Sequence, residues 1–138
     1  MIILDTNVIS EPLKPRPDPA VLQWLDRQSP ATLYVTTISQ AELLAGVAAL
    51  PAGKRRTELR KVVEKELASL FANRILPFGE RSAEAYAQVV TTANGAGNPI
   101  DFADAAIGAI AMEHNFILAT RNVGDFKGTL VKLLNPWS

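Results

Sequence analysis

Fourteen of the 138 residues are acids, and four of them stand where surface carboxylates are not expected. Asp5 closes the apolar run Ile2-Ile3-Leu4, and Glu42 lies in the first turn of a helix that follows a second apolar run. Asp104 sits among Phe102, Ala103, Ala105, Ala106 and Ile107, and Asp125 falls in the loop after Phe116–Ala119. Glu58, Glu64 and Glu66, by contrast, are interspersed with Lys and Arg and read as a solvated helix face. Carboxylates gathered in one place repel one another and raise each other's pKa. A divalent cation removes that cost, and oxygen ligands without His or Cys suit Mg²⁺, with Mn²⁺ as a substitute. Such a cation polarises a phosphoryl oxygen and acidifies a bound water. The residue types therefore point to metal-assisted phosphodiester chemistry rather than to zinc hydrolysis.

Each candidate also has a plainer role. Asp5 could cap the turn after its strand. Ser39-Gln40-Ala41-Glu42 has the spacing of a capping box, which would spend Glu42 on the helix's own backbone. Thr6 and Asn7, and likewise Thr120 and Asn122, are turn formers that could equally orient Asp5 or a water. Asp101 shares a helix face with Asp104 and suits the positive end of the helix dipole; His114 suits the negative end. Lys54-Arg55-Arg56 with Arg60-Lys61 reads as a solvated face, with an RNA or partner surface as the alternative.

The elements that must position these residues follow from hydrophobic periodicity and turn signals. Strands are expected at Ile2–Leu4, Leu33–Thr36, Ile75–Phe78 and Phe116–Ala119, with a further one at Leu130–Leu134. Helices are expected from Asp18-Pro19 to Gln28, from Ser39 to about Leu50, from Lys54 to Phe71, from Ser82 to about Ala93 and from Ile100 to His114. The last is apolar nearly all round and should be central. Short apolar strands alternating with helices predict an α/β fold, a three-layer α/β/α sandwich with a parallel central sheet. Ligands of such sheets bind beyond the carboxyl ends of the strands, where strand ends and the starts of the following helices meet. Four acids far apart in sequence can converge there.

Bulk composition limits the alternatives. Lys plus Arg equals Asp plus Glu, so any nucleic-acid contact must come from a local patch. The absence of Cys excludes disulfides and thiolate metal sites. No basic residue precedes the first apolar run and no stretch has the length of a membrane span, so a cytoplasmic protein of one domain, residues 1–138, is expected.

Four motifs in order, "MIILDTNVISE", "ISQAEL", "DFADAAIGAIA" and "LATRNVGDF", together with the closing "NPW", resemble the PIN domain over essentially the whole chain. Within it they are similar to the VapC toxins of bacterial toxin–antitoxin pairs, in the FitB-like branch. The resemblance implies a Mg²⁺-dependent endoribonuclease, a homodimer, and a cognate VapB-like antitoxin that covers the active-site groove. It implies that Asp5, Glu42 and Asp104 are the principal acids, that Asp5 and Asp104 are the metal ligands, and that Thr6 supports the first acid. The fourth acid position of the family falls in part of it at Asn122, with Asp125 three residues on, and both readings stand. A haloacid-dehalogenase phosphatase would want a second Asp where Asn7 stands. A receiver-like domain would want a phospho-acceptor where Phe78-Gly79-Glu80 stands. The non-enzymatic alternative is a PIN-like RNA- or protein-binding module.

Overall fold

The computed structural model describes residues 1–138. Strand β1 (Ile2–Leu4) leads directly into a short helix α1 (Thr6–Ser10) and a 3₁₀ turn, Glu11–Leu13. There follow α2 (Pro19–Arg27), β2 (Leu33–Thr36), α3 (Thr37–Ala48), α4 (Lys54–Ser69), β3 (Ile75–Leu76), α5 (Glu80–Gly95) and α6 (Phe102–His114). The chain closes with β4 (Ile117–Ala119), a 3₁₀ turn at Val123–Phe126 and β5 (Leu133–Leu134).

The five strands form one sheet in the order β3-β2-β1-β4-β5, and every pairing is parallel. Because strand side chains alternate between faces, each strand feeds two cores. Leu4, Leu33, Val35 and Ala119 pack under α1 to α4 with Val8, Val21, Leu43, Val63 and Phe71. Ile3 and Leu118 pack on the opposite face with Val89, Ile107, Ile110 and Phe126. The expected three-layer α/β/α sandwich is therefore present. Helix α6 is central as predicted, with Ala105 through Ala111 all buried. No helix is long and apolar enough to cross a membrane.

Several boundaries differ from the sequence reading, for local reasons. The expected strand Ile75–Phe78 ends at Leu76, since Pro77 has no N–H for a ladder. The expected strands at Phe116 and Leu130 begin later, at Ile117 and Leu133. Helix α3 begins at Thr37 rather than Ser39, because Thr36 accepts from the Ser39 N–H at 3.1 Å and is the N-cap. Helix α4 ends at Ser69, and α5 runs longer than expected at both ends. Helix α1 was not expected at all; its five residues are too few to show a period.

Candidate active site

Strand order reverses between β1 and β4: β2 and β3 lie to one side of β1, β4 and β5 to the other. A parallel sheet opens a crevice at such a point, beyond the strands' carboxyl ends. Asp5 follows β1 there, and Thr120 follows β4 beside it. The Thr120 hydroxyl donates to Asp5 Oδ2 at 2.7 Å, and the Thr6 N–H donates to Asp5 Oδ1 at 2.8 Å. Asn7 Nδ2 lies 3.5 Å from Oδ2. Asp5 is thus the N-cap of α1, and that role leaves its second oxygen facing Thr120, so capping does not exclude it as a candidate site acid. It is only 3% exposed. Burial pushes its carboxyl above the ordinary range, with Glu42 and Asp125 adding to the rise, while the bonds from Thr120 and Thr6 hold it down.

Glu42 approaches from α3. Its Oε1 accepts from the Thr6 hydroxyl at 2.6 Å, and Ser39 Oγ lies 2.9 Å from the same hydroxyl. A hydroxyl has one proton, so Thr6 donates to Glu42 and takes the Ser39 proton in return. The capping-box reading of Ser39 and Glu42 is overturned: Thr36 caps the helix, and both residues turn toward Thr6. Thr36, Thr37 and Ser39 all offer hydroxyls, and only the point where β2 ends selects the first as cap.

Asp104 enters from the first turn of α6. Burial, then Asp101, Asp5 and Asp125, push its carboxyl up to about 7. Asp101 is the α6 N-cap, accepting from the Asp104 N–H at 3.1 Å, which extends the dipole role read from the sequence. Asp125 is exposed in the 3₁₀ turn after β4, yet its charge reaches both Asp5 and Asp104. Asn122 starts that turn; its N–H donates to the Thr120 hydroxyl at 3.1 Å and its side chain faces solvent. Asp5, Glu42, Asp104 and Asp125 therefore share one edge. No three acidic or histidine side chains lie together closely enough to hold a metal ion by themselves. A cation would be held by one or two carboxylates with water completing its shell, which is how Mg²⁺ is commonly bound. The donors fit: hard oxygens, one almost wholly buried, and two carboxyls whose charged forms are disfavoured without a counter-ion.

A groove of about 350 Å³ runs from Thr6 and Glu42 along α3 and α4, past Leu43 and Leu59, with Arg55 on its wall. Elsewhere the α4 cations are partly spent within their helix, Arg60 on Glu64 and Lys54 on Glu58. His114 ends α6, as read from the sequence, with Nε2 3.7 Å from Glu113 Oε2.

The PIN domain profile matches residues 2–128. The chain belongs to the PIN-domain family. This PIN domain is 45% identical to the VapC ribonuclease Y4jK of Sinorhizobium fredii, over 99% of this chain and 98% of that one. It is 45% identical to the toxin FitB of Neisseria gonorrhoeae over 99% of each chain. It superposes on a chain in the structure of FitAB bound to an IR36 DNA fragment with a TM-score of 0.96, at 44% identity over 100% of this chain and 96% of that one. PIN domains are metal-dependent nucleases, and this one groups with the VapC and FitB toxins.

Proposed function

We propose that this PIN domain is the toxin of a toxin–antitoxin pair and hydrolyses RNA phosphodiester bonds in the cytoplasm, using Mg²⁺ or, in its place, Mn²⁺. The whole chain, residues 1–138, acts as that one domain. What supports the reading is the crevice at the strand-order reversal, where buried Asp5 is held by Thr120 and Thr6 and where Asp104 lies near enough for the Asp5 charge to help raise its carboxyl. These two would hold the cation, which supplies Lewis-acid polarisation of a phosphoryl oxygen and an acidified water when bound. Thr120, Thr6 and Asn7 fix the Asp5 carboxylate against rotation. Glu42, held through Oε1 by Thr6, keeps Oε2 free to accept from the attacking water and to take its proton. Asp125 fills the fourth acid position, since its charge reaches both Asp5 and Asp104. Asn122 supports the turn that carries Asp125. A VapB-like antitoxin covers this edge, in keeping with relatives whose structures are toxin–antitoxin complexes, and the toxin pairs as a homodimer.

The test is cleavage of tRNA and structured RNA by the purified chain freed of any antitoxin. Cleavage is expected with Mg²⁺ and lost in EDTA. Asp5→Asn and Asp104→Asn should each lower turnover by at least about 100-fold, beyond the loss typical of an outer-shell partner. Attack by water leaves a 5′-phosphate and a 3′-hydroxyl, so 2′,3′-cyclic phosphate ends would contradict the mechanism. Failure to cut any RNA would favour a non-catalytic PIN-like binding module.

A further inference from the structure

The closing Asn135-Pro136-Trp137 has no part in the chemistry above, yet it is built into the edge where the acids meet. The Thr120 N–H donates to the Leu134 carbonyl at 2.9 Å, tying the end of β4 to β5. Asn135 Oδ1 accepts from the Trp137 N–H at 2.9 Å, Pro136 is buried, and the indole packs against the core under α1 to α4. Over that anchored ring stands Arg121, its guanidinium carbon 5.2 Å from the ring centroid. Arg121 directly follows Thr120, and its N–H is 3.4 Å from Asn7 Oδ1. Its backbone is therefore held by residues that bond Asp5, and its side chain by the terminal tryptophan.

This cation is not consumed within the protein. Glu11 is buried nearby and its carboxyl is held below the ordinary range, first by Lys14 and only last by Arg121. The Glu11 carboxylate is met by Lys14 Nζ at 2.9 Å and the Asp18 N–H at 3.3 Å, and Arg121 makes no ion pair with it. Neither Asp5 nor Asp104 is lowered by Arg121. Arg121 is exposed. An acid cluster repels a polyanion, so RNA needs a fixed positive charge beside it. A planar guanidinium pre-oriented on an aromatic ring meets a phosphate bidentately with little further ordering.

We propose that Arg121, seated on Trp137, is an RNA-positioning residue that grips a backbone phosphate flanking the scissile bond. The proposal rests on the ribonuclease reading. The probe is a fluorescein-labelled single-stranded RNA of mixed sequence, its binding followed by anisotropy in EDTA across a salt series. Arg121→Ala should raise Kd about tenfold, the loss of one charge-assisted contact. It should also shallow the salt dependence by about 0.7, the value for one phosphate on a single strand. Under Mg²⁺, KM for RNA cleavage should rise with kcat within about twofold. Arg121→Lys keeps the charge and should keep the salt slope while weakening binding. If wild-type protein cuts RNA and Arg121→Ala keeps its Kd and salt slope, the proposal alone falls. A lowered Tm with an unchanged slope would also overturn it, assigning Arg121 a structural role. If wild-type protein neither cuts nor binds RNA, the ribonuclease reading falls first.

Discussion

Asp104 titrates at about 7 in the folded chain against an ordinary 3.8, so its proton is bound by the folded form where the unfolded form has released it. Without metal, its contribution to stability is present below about pH 4 and is lost as pH rises through about 7; Asp5 shifts in the same direction. Melting in EDTA should therefore give a lower Tm at pH 8 than at pH 5. Metal ligation requires the deprotonated carboxylate, so the trend for the cation is opposite. Mg²⁺ affinity by calorimetry should rise steeply up to about pH 7 and level off above it. A pH-independent affinity would remove Asp104 from the ligand set. Thr120→Val deletes the 2.7 Å bond to Asp5 Oδ2 at nearly constant shape. It should lower stability by about 1–3 kcal/mol in denaturant unfolding and weaken metal binding, because a buried acceptor loses its donor. At this scale Asp5 and Asp104 were legible in the sequence, as charges set in apolar runs. Ser39, Thr36 and the pairing of Arg121 with Trp137 were not, because each depends on a tertiary neighbour that spacing does not reveal.

Among the elements, α6 carries the most information for its length. Gly108 lies mid-helix, where a glycine costs backbone entropy, and a Cβ there would meet Phe126 Cε1 at 2.9 Å and Val131 Cγ2 at 3.2 Å. The glycine lets the turn bearing Asp125 press against the helix bearing Asp104. Gly108→Ala should destabilise by roughly 1–3 kcal/mol through overpacking, despite its better helix propensity, and should lower cleavage by displacing the Asp125 turn. Unchanged Tm and activity would show that Phe126 has room to yield. Helix α6 was legible because its apolar residues cover every side. Helix α1 was not, because five residues cannot show a 3.6-residue period, and its start is dictated by the Asp5 cap. The start of α3 was misplaced because three hydroxyl residues compete for the cap, and β2 pairing decides among them.

At the scale of the molecule, the alternation of short apolar strands and helices foretold a parallel sheet, and the order β3-β2-β1-β4-β5 adds the one fact that alternation cannot. That order puts β1 beside β4, although more than a hundred residues separate Asp5 from Thr120, and so makes the crevice in which they bond. Net charge is zero, so neither RNA nor a cation would be drawn by a global field, and any attraction for a cation must come from the acids locally. The central claim is that Asp5, at the end of β1, and Asp104, in the first turn of α6, hold one divalent cation between them. Its most direct test is a Mn²⁺ titration followed by electron paramagnetic resonance, on wild-type protein and on Asp5→Asn and Asp104→Asn variants with unchanged circular dichroism. A tightly held ion is expected in the wild type and its loss in each variant. Undiminished binding in both variants would contradict the claim.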